Sequence, residues 1–155
     1  MVRRVLIDIR SLVNLVTLEI YKKLRLKRND LTKVTFPLVG LGDKIILVAG
    51  TTNLTIALGN EVFKWSIYAK FIIADTPLSY NVILGRLILN DNNILINVDC
   101  LCMKLLAPGG IAMVRKSQKS TQECYKYSIK AVAKVTLSIN LLKKLQSNIS
   151  SKPAY

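Results

Sequence analysis

The chain has no histidine among its 155 residues. That removes Ser-His-Asp and Cys-His catalysis, zinc sites built on imidazole, and His-based pH sensing. Acids are scarce as well: 9 Asp and Glu stand against 23 Lys and Arg, a formal net charge of +14. The sequence contains no GxxxxGK[ST] loop to cradle phosphates and no Ser-x-x-Lys pair to activate a serine. Cysteine is limited to Cys100, Cys102 and Cys124, an odd set without zinc-type spacing. Buried thiols in a reducing compartment are expected, with Cys100 and Cys102 sharing a face of a strand. Long apolar runs are missing too. The longest uncharged stretch, Ile45–Asn60, is broken by Gly50 and Gly59 and is shorter than the ~18 apolar residues of a membrane span. The apolar run after Met1 is interrupted by Asp8 and Arg10 too soon for a signal peptide. The expectation is an intracellular chain of cytoplasm or nucleus with no membrane contact, in which the sequons at Asn53 and Asn148 are chance matches.

What is present suits one domain with a real core, since 51% of residues are hydrophobic. The positive charge favours acidic partners, nucleic acid among them. It is equally compatible with a piece of a larger protein whose acidic parts lie elsewhere.

The chain is organised around Arg3–Val16, RRVLIDIRSLVNLV. Val2–Ile7 has the aliphatic, β-branched character of a strand. It delivers Asp8 to a tight loop, Asp8–Ser11, between two apolar runs. A carboxylate there is either the cap of a turn or helix or a catalytic group. Ser11 or Asn14 is positioned to cap a helix that reaches about Leu24, with Leu15, Val16, Ile20 and Leu24 at helical spacings. Lys22, Lys23, Arg25, Lys27 and Arg28 follow at its basic end, a solvated helix terminus or a phosphate contact. Strands are expected at Val34–Val39, Ile45–Val48 and Thr51–Leu58, with a tip at Gly40-Leu41-Gly42, a turn at Gly50 and a two-residue hairpin turn at Gly59-Asn60. The strongest local pattern is Phe63, Trp65, Ile67, Ala69, Phe71 and Ile73 alternating with polar residues. Tyr80–Leu84 ends on Gly85, and Arg86–Asn90 suits a short helix. Ile94–Val98, Leu101–Leu105 and Ile111–Val114 complete the strands.

From Ser117 the character changes. Lys116, Lys119, Lys126, Lys130, Lys134, Lys143, Lys144 and Lys152 face a single acid, Glu123. Leu137, Leu141, Leu142 and Leu145 have helical spacing. The chain therefore divides into a mainly β domain at 1–116 and a basic, partly helical tail at 117–155. Short strands with frequent turns suggest a small barrel or sandwich.

Asp8 after a strand, the glycine hairpin Leu38-Val39-Gly40-Leu41-Gly42, and the apolar strand Tyr80-Asn81-Val82-Ile83-Leu84-Gly85-Arg86 come in a telling order. The order resembles the retropepsin-like aspartic peptidase domain of plant gypsy-class retrotransposon polyproteins. Val2–Asp8 is similar to that family's first motif, Tyr21–Leu24 to the helix after it, and Pro37–Gly40 to the start of the flap. Asp75 and Pro77, Met103–Leu105 and Glu123–Tyr125 extend the likeness over roughly residues 2 to 130. The resemblance implies a small closed acid-protease β-barrel with one helix after the first strand and a helical tail. It implies a homodimer acting on a polypeptide substrate without cofactor or metal. Each subunit would lend one Asp8, and the two carboxylates would share a proton because they cannot both ionise at close range. Gly40, Leu41 and Gly42 would belong to the flap, and Ile83, Leu84 and Gly85 would support the catalytic loop.

The family carries a small residue and then glycine after its aspartate. Here Ile9 and Arg10 stand in those places. Ile9 has no hydroxyl to bond the partner's loop. Arg10 would be strained if held at positive φ, and its guanidinium favours two ionised carboxylates over a shared proton. The family's strand before the first motif is also missing. The expectation is a degenerate, truncated copy whose fold outlives its activity. The rival is a non-catalytic binding module that makes weak nucleic-acid or protein contacts through its basic residues.

Overall fold

The computed structural model describes residues 2–34, 37–40, 45–119, 121–126 and 129. The early elements are β1 (Val5–Asp8), β2 (Leu15–Thr17), α1 (Leu18–Lys23), β3 (Leu38–Val39), β4 (Ile45–Ile46), β5 (Val48–Gly59) and β6 (Lys64–Ala74). Then come β7 (Val82–Gly85), α2 (Arg86–Asp91), β8 (Leu95–Asn97), β9 (Cys102–Ala107) and β10 (Gly110–Arg115). Residues 121–126 are helical. The mainly β class is as expected. Among the described residues the strands form sheets of five, three and two members, and their ladders do not close into a barrel.

The alternating stretch becomes β6, paired antiparallel with β5 along almost its whole length. Period two holds from Ser66 to Lys70, where Ile67 is buried and Ala69 half-buried between exposed Ser66, Tyr68 and Lys70. Trp65, expected on the buried face, is exposed near the end of the ribbon. The alternation stops at Phe71–Ala74, all four buried, because β6 there enters the middle of the five-stranded sheet, ordered β1-β7-β2-β6-β5. A strand covered on both faces no longer alternates. Phe71 and Ile73 are both 0% exposed, and such burial stabilises by about 1.5–3 kcal/mol per side chain. The turn after Gly59 spans four residues rather than the expected two. Asn60 Oδ1 accepts from the Val62 and Phe63 N–H groups at 3.0 and 2.7 Å.

The expected helix from Ser11 or Asn14 is corrected at its start. Leu15–Thr17 is a fully buried strand, parallel to β6 and antiparallel to β7. Only Leu18–Lys23 is helical, and Leu24 caps its end. An unbroken apolar run such as Leu15-Val16-Thr17-Leu18 fits a buried strand as well as a helix, and the open ladder positions on two neighbours decide the matter. Gly50 lies inside β5, at a bulge, instead of in a turn. Cys100 and Cys102 do not share a face: Cys100 is exposed in the turn before β9, and Cys102 is buried within it.

The three-stranded sheet, β10-β9-β8, packs β9 on β6 and β10 on β5. The core between the layers includes Val16, Leu18, Tyr21, Ile67, Phe71, Ile73, Leu84, Ile88, Met103, Leu105 and Ala112. Among the described residues no helix is long and apolar enough to cross a membrane.

Candidate functional site

β1 begins only after Arg4, whose φ of 60° turns the chain into the strand. β1 then runs parallel to β7, with Val5 opposite Val82, Leu6 opposite Ile83, Ile7 opposite Leu84 and Asp8 opposite Gly85. The register therefore sets the candidate aspartate beside the candidate glycine. Parallel strands need a long crossover. Here everything from the Asp8 loop to β6 forms it, and β2 slots in on the far side of β7.

The loop after Asp8 is held by backbone groups. Asp8 Oδ1 accepts from the Arg10 N–H at 2.9 Å and from the Ser11 N–H at 3.3 Å. The Ser11 N–H also reaches the Asp8 carbonyl at 3.2 Å. This is the self-bonded turn for which aspartate is suited. Ser11 Oγ closes a second turn by donating to the Val13 carbonyl at 2.9 Å. The Arg86 N–H donates to the Ser11 carbonyl at 2.8 Å, which fastens the loop to the start of α2. Asp8 is half-buried, and Ile9 and Arg10 are exposed. Arg10 does not have a positive φ, so the strain expected for a side chain at that position is absent.

Gly85 is where the loop meets β7. A Cβ there would collide with the Val13 carbonyl oxygen and would lie 2.9 Å from the Ser11 carbonyl oxygen. Its N–H donates to Asn14 Oδ1 at 2.9 Å in a buried bond. The Asn14 amide donates in turn to the Lys70 carbonyl at 3.1 Å, and the Asn14 carbonyl accepts from the Ile72 N–H at 2.9 Å. Asn14 is therefore no helix cap. It is a buried cross-link between the loop, β7 and β6. Asn81 plays a matching part at the other end of β7. It accepts from Arg4 Nη2 at 2.7 Å and donates to the Arg3 carbonyl at 2.8 Å. Its own carbonyl takes the Thr17 N–H at 3.0 Å. Neither cross-link follows from sequence pattern, which offers Asn14 as a helix cap and Asn81 as part of the strand before Gly85. The available signal was a lone Asn within an apolar run at Leu12–Val16 and another next to Val82–Leu84, since buried amides need partners.

Ile83 is half-buried and Leu84 buried, both on the strand that carries Gly85. The glycine hairpin is present as the two-stranded sheet of β3 and β4, with Leu38 opposite Ile46 and Val39 opposite Ile45. Gly40 follows β3, and Leu41 and Gly42 lie outside the described residues. Val39 and Ile45 are exposed. The base of the hairpin is tied down where the Leu47 N–H donates to Thr76 Oγ1 and the Asp75 N–H donates to the Leu47 carbonyl. Among the described residues no three Asp, Glu or Cys gather as a metal site.

No family model matches the sequence, and no curated protein does. Among solved structures the chain is similar to the retroviral protease-like domain of Ddi1 from Leishmania major. The identity is 10%, over 74% of this chain and 84% of that chain, with a TM-score of 0.47.

Proposed function

We propose that the chain is a retropepsin-like domain derived from a gypsy-class retrotransposon polyprotein, in which peptide hydrolysis has been lost. The observation that carries this is the pairing of Asp8 with Gly85 across parallel strands, with the Asp8–Val13 loop resting on that glycine. In a homodimer this frame would hold two Asp8 carboxylates about a common axis. One, ionised, would take a proton from water, and the other, protonated, would polarise the substrate carbonyl.

Two residues oppose that chemistry. Arg10 puts a long, exposed side chain where the resemblance calls for a glycine that lets substrate and the partner's loop approach the carboxylate, and it makes no ion pair with Asp8 among the described residues. Ile9 offers no hydroxyl to lock one loop against its partner. The test is incubation of the full chain with a generic peptide library at about pH 4–6, the range in which an aspartate dyad works, with Asp8→Asn as the control. The expected result is identical, background cleavage by both. Turnover that disappears in D8N would overturn the proposal. Analytical ultracentrifugation separately tests the homodimer.

A further inference from the structure

The last turn of α1 and the segment after it carry the densest positive charge in the described chain. Lys22, Lys23, Arg25, Lys27, Arg28 and Lys33 are all exposed and face one acid of the same segment, Asp30. Two of the cations are spoken for: Lys23 pairs with Glu19 at 2.6 Å and Arg28 with Asp75 at 2.9 Å. Lys22, Arg25, Lys27 and Lys33 have no ion pair among the described residues.

This is a fixed surface and not a loose loop. The phenol of fully buried Tyr21 donates to the Lys27 carbonyl at 3.2 Å. The Arg28–Asp75 pair pins the next residue. Thr32 and Thr51 exchange two backbone hydrogen bonds at 2.9 and 2.8 Å. Gly50 lets the segment cross β5, since a Cβ there would sit 2.8 Å from both Leu31 Cβ and the Thr32 carbonyl oxygen. Arg25 holds a φ of 60°, the conformation in which glycine normally ends a helix. A strained backbone that keeps a long cationic side chain points to a use for that side chain.

The segment borders a cleft lined by Asp30, Thr32, Thr51, Thr52, Asn53, Tyr68 and Lys70. On the outer face of the β5–β6 ribbon, Asn53 stands opposite Lys70 and Thr55 opposite Tyr68. Tyr68 is 72% exposed. An exposed aromatic ring on a flat, polar strand face, flanked by lysines and hydroxyls, is how single-stranded nucleic acid is held. Bases stack on the ring and cations follow the phosphates. We infer that this surface, from Lys22 to Lys33 and across Asn53, Tyr68 and Lys70, binds single-stranded nucleic acid without sequence preference. The inference does not depend on Asp8, which lies on β1, at the sheet edge opposite β5.

The test uses the full chain and a fluorescein-labelled oligo(dT) of about 15 nucleotides, within the span such surfaces cover, read by anisotropy across a salt series. Removing four phosphate contacts in Lys22→Gln, Arg25→Gln, Lys27→Gln, Lys33→Gln should flatten the log–log salt slope by about 3. Tyr68→Ala should weaken binding about tenfold and leave the slope unchanged. Asp30→Asn should tighten binding, with an unchanged circular dichroism spectrum showing that the gain comes from the folded surface. The control Lys104→Gln, Arg115→Gln, Lys116→Gln removes three cations from another part of the fold. Equal losses in the control and the first variant, or an unchanged slope in the first variant, would overturn the inference. So would competition by polyglutamate as effective as by unlabelled oligo(dT), which would assign the surface to an acidic protein partner.

Discussion

Gly85→Ala isolates the contact that seats the Asp8 loop. The backbone at Gly85 has φ −86° and ψ 175°, an extended conformation open to any residue. Alanine therefore meets no torsional penalty and would even gain about 0.4–1 kcal/mol by restricting the unfolded chain. The cost is steric. The new Cβ would overlap the Val13 carbonyl oxygen and stand 2.9 Å from both Ser11 O and Val13 C. These are backbone atoms of a loop held by Arg86, Ser11 and Asn14, so they cannot rotate away as a side chain would. Overpacking of this kind costs about 1–3 kcal/mol, and the rigid neighbours place it near the top of that range. After the entropic gain is subtracted, net destabilisation of about 2 kcal/mol is expected. Urea unfolding followed by circular dichroism reads it as a fall in midpoint at constant slope. A midpoint within experimental error of the parent, or above it, would refute the claim that the loop rests on β7 at this point.

Other outcomes follow from the same geometry. Asn14→Ala removes the partners of the Gly85 N–H and the Lys70 carbonyl and should cost about 2–3 kcal/mol by the same assay. Asn14→Asp keeps the acceptor for Gly85 but turns an oxygen toward the Lys70 carbonyl and buries a charge, so at neutral pH it should cost at least as much as Asn14→Ala. Arg25→Gly relieves the φ of 60° and should stabilise by about 0.5–1 kcal/mol, while weakening oligonucleotide binding. Iodoacetamide mapped by mass spectrometry should label exposed Cys100 well before buried Cys102 and Cys124. Burial is the main cause that pushes both the Cys124 thiol and the Tyr21 phenol above their ordinary values; Arg4 offsets part of the Cys124 shift while Glu123 adds to it, and Asp30 adds to that of Tyr21. Acids whose folded pKa is raised bind more protons folded than unfolded. Stability should thus be intact below their unfolded values, about 8.5 and 10, and decline as pH rises past them.

Sequence pattern exposed those parts of the fold that rest on one strand at a time. The alternation of Phe63–Ile73 located β6, and the residues ending at Gly85 located β7 and the short helix after it. The residues that failed were those whose structure is decided by neighbours distant in sequence. Leu15–Thr17 reads equally well as helix or buried strand, and only the gap between β6 and β7 makes it a strand. Alternation at Ile72 and Ala74 is erased for the same reason. Asn14 resembled a cap because an amide beside a helix usually is one. Its true partners, Gly85 and Lys70, lie 71 and 56 residues away in sequence. Around the candidate site, the strands that carry Asp8 and Ile83–Gly85 were legible because each is a short aliphatic run ended by a turn-forming residue. The two amides that bind those strands together were not.

Under the proposed function, the same geometry accounts for how the frame would outlive its chemistry. Asp8 is fixed by the N–H groups of residues 10 and 11 and by a strand register, and all of these are backbone features. Nothing in them depends on which side chains occupy positions 9 and 10. Ile9 and Arg10 are exposed, and Arg10 adopts no positive φ, so large side chains there cost the fold little. Gly85 and Asn14 are different, because their own atoms make the contacts. Loss of selection for hydrolysis would therefore release positions 9 and 10 first. Positions 14 and 85 would stay fixed for as long as the domain must fold.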